Sequence, residues 1–127
     1  MKIKYHIKKQ ELVFSIFGIV IKRFKAISGP YGKGSAPVGE YSVALPLVID
    51  ERVEKNKPYT VNGFAFWCLL VPRFKTDRSG IGIHPDGNVK GTLGCIGIDS
   101  EEDQYLVFSL LRVFHYFSTE LFLIIKK

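Results

Sequence analysis

The 127 residues, 46% hydrophobic and 24% charged, hold enough apolar material for one core and too little for two, so a single domain spanning 1–127 is expected. The formal net charge of +6 favours an anionic partner. However, the basic residues come in short clusters such as Lys8-Lys9 and Lys22-Arg23, with no long arm to grip a duplex, so nucleic acid is not expected.

Ten Phe, six Tyr and twelve Gly against one Met and one Trp favour strands joined by tight turns. Lys2 to Lys8 alternates, with Ile3, Tyr5 and Ile7 on one face, and predicts a first strand. Leu12–Phe17 and Ile19–Ile27 follow as strands that reverse at Gly18. The basic start and the apolar run Leu12 to Ile21 imitate a secretory signal. Glu11 interrupts the approach and Lys22-Arg23 closes the run without a small-x-small cleavage site, so a hairpin is the better reading. The run is also too short to span a bilayer.

Ser28 to Gly39 is a Gly/Pro loop whose Gly-Lys-Gly-Ser segment lacks the spacing of a phosphate-binding loop. Glu40–Leu45 predicts a strand, Asp50–Pro58 a polar excursion, and Phe64–Val71 a strand deep in the sheet with Cys68 as a small core residue. After the polar turn Arg73–Ser79, the short strand Ile81–His84 runs into the turn Pro85–Asn88. Gly91 to Ile98 brings the chain back. Asp99 or Ser100 is expected to cap a helix, with Glu101, Glu102 and Asp103 in its first turn. That helix has Leu106, Leu110, Val113 and Phe117 at helical spacing, widened by Val107, Leu111 and Phe114, and should cover the sheet. Leu121–Ile125 closes the chain as a last strand.

The chemistry concentrates between His84 and Cys95, eleven positions apart. A cysteine attacks carbonyls only as a thiolate, and an imidazole within reach can take its proton. His84 stands at a strand end beside a loop, whereas His6 and His115 have no loop chemistry around them. The glycines around Cys95 allow close backbone approach and N–H groups that converge on an oxyanion, and the dipole of the following helix, if aimed at the sulfur, would favour a thiolate. Cys68, Cys95, His84 and His115 have no standard ligand spacing, so neither a metal nor any other cofactor is expected.

The segments Ile81-Gly82-Ile83-His84-Pro85-Asp86-Gly87 and Thr92-Leu93-Gly94-Cys95-Ile96 resemble the histidine and Ser/Thr-x-Gly-Cys motifs of the L,D-transpeptidase catalytic-domain family. Ser28-Gly29 and Pro37-Val38-Gly39-Glu40-Tyr41 match that family's upstream loop in order. The resemblance implies a β-rich α+β fold, a mixed and antiparallel sheet sandwich with one main helix near the C-terminus. It implies Cys95 as nucleophile and His84 as base, Gly94 and Cys95 N–H groups at the oxyanion, and Thr92 in support. Tyr31, Arg78, Asp86 and the Gly97 position are the expected substrate contacts. Gly97 stands where the family carries arginine, a charge that Arg73, Arg78 or Lys90 would have to replace.

The implied substrate is the peptide stem of peptidoglycan, cut before a D-amino acid, with transfer to an amine or to water. The missing arginine and the positive charge motivate an alternative, a catalytically silent wall-binding module. The implied place of action is the cell envelope, periplasm or extracellular space. With no signal peptide read, export would need secretion machinery delivering an effector (with an immunity protein as a further partner), a phage-lysis context, or a longer exported protein.

Overall fold

The computed structural model describes residues 1–87 and 90–127. Asn88, the last residue of the turn expected at Pro85–Asn88, lies outside the described residues. In chain order the strands are β1 (Lys2–His6), β2 (Glu11–Ile16), β3 (Ile19–Ser28), β4 (Gly39–Val43), β5 (Leu47–Val48), β6 (Thr60–Val61), β7 (Phe64–Pro72), β8 (Ile81–Pro85) and β9 (Ile96–Ile98). The helix α1 (Gln104–Tyr116) and the strand β10 (Phe122–Lys126) complete the chain, and short 3-10 turns occupy Glu54–Tyr59 and Glu101–Asp103. The protein is mainly β with one main helix near the C-terminus, as the sequence implies.

The strand order β4-β10-β1-β2-β3-β9-β8-β7 returns to its start, because β4 also pairs with β7. Two junctions are parallel, β1 with β10 and β8 with β9, and the others are antiparallel. The mixed sheet therefore closes on itself, and its walls face each other across one apolar cluster. Closure also pairs edges that would otherwise lie open. Tyr5, Phe14, Tyr41, Phe66, Ile83, Ile96 and Ile125 all point into this cluster, as period-two alternation requires.

The helix joins the same core, with Phe114 edge-on to Phe14 at 5.2 Å between ring centres and Phe108 against Phe66 at 5.6 Å. Its buried stripe is Val107, Phe108, Leu111 and Phe114, while Leu106, Val113 and Phe117 face outward. Of the expected leading stripe, only Leu110 packs partly against the core, and the widening residues Val107, Leu111 and Phe114 carry the burial. A helix apolar on most of its circumference gives periodicity no means of choosing a face. The strand β7 likewise alternates: Phe66, Cys68 and Leu70 are buried and Leu69 and Val71 are exposed, so its apolar run is half-buried. Cys68 is in the core, as expected, and its Sγ lies 3.4 Å from the Ala44 carbonyl oxygen.

The expected cap is absent, since neither Asp99 nor Ser100 caps the helix with its side chain. The Asp99 carboxylate instead pairs with Lys25 at 3.3 Å and with Lys90. The buried Gln104 secures the start of α1 by donating from Nε2 to the carbonyl oxygens of Ile98 at 2.8 Å and Ser100 at 2.9 Å.

Candidate active site on the outer face of β8 and β9

Parity along the strands decides which side chains reach this site. Ile81 and Ile83 of β8 and Ile96 and Ile98 of β9 point into the core, so Gly82, His84, Cys95 and Gly97 project from the other face. The parallel register pairs Ile83 with Ile96 and His84 with Gly97, which puts Cys95 beside Gly82. His84 and Cys95 are therefore diagonal neighbours on one face, with backbones about 7–8 Å apart, a gap that an imidazole and a thiol can close. Both line a cleft of about 290 Å³, together with Tyr31, Pro58, Tyr59, Gly87, Gly91, Thr92 and Leu93.

His84 is only 4% exposed although it faces away from the core, because aromatic rings cover it. The Trp67 ring stacks on it at 5.9 Å and Tyr59 meets it edge-on at 4.5 Å. Its Nδ1 lies 2.6 Å from the carbonyl oxygen of Pro85. A carbonyl only accepts, so Nδ1 carries the proton and Nε2 is the basic nitrogen. Burial pulls the imidazole down to about 4, against the opposing effect of the Pro85 hydrogen bond.

Cys95 is a free, half-buried thiol whose Sγ lies 3.4 Å from the Gly80 carbonyl oxygen. Burial raises its pKa, while the Gly82 backbone and the Arg78 charge act in the opposite direction. Near neutral pH the resting pair is thus a thiol beside a neutral imidazole. The start of α1 at Gln104 is nine residues beyond Cys95. The strand β9 leads from Cys95 toward α1, and at about 3.3 Å per residue the five steps to Ser100 carry the chain roughly 16 Å away.

Thr92 organises the loop that presents Cys95. Its Oγ1 accepts from the Gly29 N–H at 3.0 Å and the Gly94 N–H at 3.2 Å, and its hydroxyl donates to the Cys95 carbonyl oxygen at 2.6 Å. The Ser28 hydroxyl donates to the Gly94 carbonyl oxygen at 3.3 Å and ties in the same loop. Thr92→Val leaves two inward-facing amides without an acceptor, so a loss on the order of 2–4 kcal/mol is expected in denaturant unfolding. The Gly94 N–H is occupied by Thr92, whereas the Cys95 N–H has no acceptor among the described residues.

Of the expected substrate contacts, Tyr31 lines the cleft and is 45% exposed. Arg78 lies against Gly94, whose φ of +134° suits glycine and whose missing side chain leaves room for the guanidinium. Arg78 Nη1 also reaches the Ser35 carbonyl oxygen at 3.4 Å.

Asp86 and Gly97 are not in the cleft. The Asp86 carboxylate accepts from the Gly91 N–H at 3.0 Å and so braces the loop. Gly97 is buried, and a Cβ there would stand 2.9 Å from Asp86 Cβ and 3.0 Å from Thr92 Cγ2. Gly97→Arg should therefore destabilise the fold by about 1–3 kcal/mol through overpacking, read as a lower denaturation midpoint. Arg73 pairs with Glu40 at 3.0 Å and Lys90 with Asp99. Arg78 is the cation whose field reaches Cys95.

Pro58, Tyr59 and Leu93 line the cleft without having been expected there. Pro58 ends, and Tyr59 follows, the stretch Asp50–Pro58 that reads as a polar excursion, and no local signal distinguishes them. Neither His6 nor His115 lines the cleft. No group of three or more His, Cys, Asp or Glu residues with metal-binding geometry occurs among the described residues.

No protein-family model matches the chain, and no curated protein matches it. Solved structures do. L,D-transpeptidase 1 of Mycobacterium tuberculosis superposes with a TM-score of 0.59 at 15% identity, over 98% of this chain and 60% of that one. An L,D-transpeptidase from Mycobacterium smegmatis gives 0.58 at 16% identity, over 98% and 58%. One from Xylanimonas cellulosilytica gives 0.54 at 14% identity, over 98% and 59%. The fold of this chain is thus the one seen in L,D-transpeptidase structures, in agreement with the sequence resemblance. The chain spans about three-fifths of the length of those structures.

Proposed function

We propose that the chain is one catalytic domain of the L,D-transpeptidase kind, a cysteine acyl-transfer enzyme acting on peptidoglycan stem peptides in the cell envelope. The observation that carries this reading is the pairing of Cys95 and His84 in one cleft, with Nδ1 of His84 committed to the Pro85 carbonyl oxygen. That bond leaves Nε2 as the base and fixes the ring plane, the task an orienting partner performs in a nucleophile–base pair.

In this reading Nε2 takes the Cys95 proton as Sγ attacks the carbonyl that precedes a D-amino acid. With the thiol raised and the imidazole lowered, proton removal and attack proceed together, as general-base catalysis. The Cys95 N–H and the Arg78 guanidinium stabilise the oxyanion. His84 then returns the proton to the leaving amine, which leaves a thioester on Cys95. An incoming amine or water, deprotonated by His84, attacks the thioester and releases a crosslinked, exchanged or shortened stem.

The test is incubation of the protein with stem tetrapeptides and mass analysis of the products. Loss of one D-amino acid means L,D-carboxypeptidase activity, and a joined stem means transpeptidation. Unchanged peptides that nevertheless bind the protein would sink the enzyme and leave the silent wall-binding module.

A further inference from the structure

The β2–β3 hairpin projects beyond the closed sheet. β3 meets β9 only from Ala26 onward, so the outer edge of Ile19–Phe24 is unpaired among the described residues. At its tip Phe17 has φ +50° and Gly18 φ +77°. A two-residue turn with both φ positive favours Asn-Gly, and a bulky aromatic there is costly. Phe17 gains no packing in return, being 95% exposed, and Ile19, Val20 and Ile21 beside it are 69%, 41% and 43% exposed.

The surroundings extend this apolar end. Register places the start of β1, the start of β10 and the end of β4 at the same end of the barrel as the hairpin tip. The segment that joins α1 to β10 therefore also lies there, with Tyr116 81% and Phe117 68% exposed. Cations flank the tip: Lys2 opposite Ser15, Lys22 opposite Phe14, and Lys4 and Arg23 on either side of Val13. Residues 1–25 carry seven Lys or Arg against one Glu; of these, Lys8, Lys9 and Lys25 lie at the opposite end of the hairpin, and Lys2, Lys4, Lys22 and Arg23 lie toward the tip. That single Glu11 is paired with Arg23 at 3.6 Å, and Glu120 is the acid near this end.

We propose that this end of the barrel docks on an anionic lipid bilayer, with the Phe17 tip inserted among the headgroups and the flanking lysines on lipid phosphates. An apolar wedge ringed by basic side chains matches the two layers of a membrane interface. A second copy of the chain is the poorer occupant, because it would bring the same cations against one another. No helix among the described residues is long and apolar enough to cross a membrane, and surface docking needs none. Cys95 stands level with the far end of β3, up to about 30 Å from the tip along the strand, so the docked protein keeps its cleft clear of the bilayer.

The proposal is independent of the chemistry assigned to the cleft, and vesicle co-sedimentation of the whole chain tests it. Binding to mixed phosphatidylglycerol and phosphatidylcholine vesicles is expected, with little binding to phosphatidylcholine alone and weakening as salt is raised. Phe17→Asn suits the turn better than phenylalanine and should keep the fold while lowering partitioning about tenfold or more. Ile19→Thr keeps strand propensity and should act in the same direction. Cys95→Ala should bind as the parent does. Failure of the parent chain to bind anionic vesicles, or equal binding by Phe17→Asn, overturns the proposal. So does a dimer in sedimentation that Phe17→Asn dissolves while vesicles capture nothing, which would assign the face to a second copy.

Discussion

Replacing Cys95 by alanine is expected to lower turnover of stem peptides by at least about 10⁴-fold while the fold and stem binding persist. The fold should tolerate the change because the thiol donates only a weak hydrogen bond, 3.4 Å to the Gly80 carbonyl oxygen, and lines a cleft instead of the core. A 10⁴-fold loss corresponds to about 5.5 kcal/mol of transition-state stabilisation, the scale on which removal of a nucleophile is felt. His84→Ala should cost a similar factor. Because nucleophile and base act as a unit, the double substitution should cost little more than either alone. Near-additive losses would mean that the two residues act separately. Turnover in Cys95→Ala equal to the parent's would remove Cys95 from the chemistry altogether.

The longer strands, the C-terminal helix and the segment that holds the proposed nucleophile and base are legible in the chain because they rest on local signals. Alternation marks β1, and the Gly, Pro and Asp residues around His84 and Cys95 mark a loop-borne site. What the sequence conceals depends on contacts between distant segments. Closure of the sheet needs β4 to pair with both β10 and β7, and no periodicity records two partners. Tyr59 and Trp67 come together over His84 from separate elements. Asp86 and Gly97 lie outside the cleft for the same reason. Asp86 follows His84 closely in sequence, yet its carboxylate is spent on the Gly91 amide. Gly97 stands where the family that the sequence resembles carries arginine, yet its surroundings are filled by Asp86 and Thr92. Arg73, Arg78 and Lys90 are all open in the sequence as the replacement charge, and only the folded chain brings the Arg78 charge to bear on Cys95.

Burial of His84 makes stability depend on pH in a definite direction. The folded protein holds the imidazole down to about 4, while the ordinary value is 6.5. On acidification the unfolded chain takes up this proton first, so unfolding is favoured. The contribution is fully present above about pH 6.5 and is lost as pH falls toward 4, with a maximum of roughly 3 kcal/mol for a shift of this size. His6 is shifted in the same direction but is only partly buried, so solvent screening leaves it a minor part. Asp86 is raised by burial and opposes the trend at lower pH, since protonation favours the folded form there. Denaturant unfolding at about pH 7 and about pH 4.5 should therefore show a larger acid loss in the parent chain than in His84→Gln, whose amide does not titrate. The same burial moves catalysis: kcat/KM for stem peptides should hold well below pH 6.5 and fall only as His84 protonates near 4. An acid limb at the ordinary histidine value, together with equal acid loss in the parent and His84→Gln, would show that Tyr59 and Trp67 leave the ring open to water.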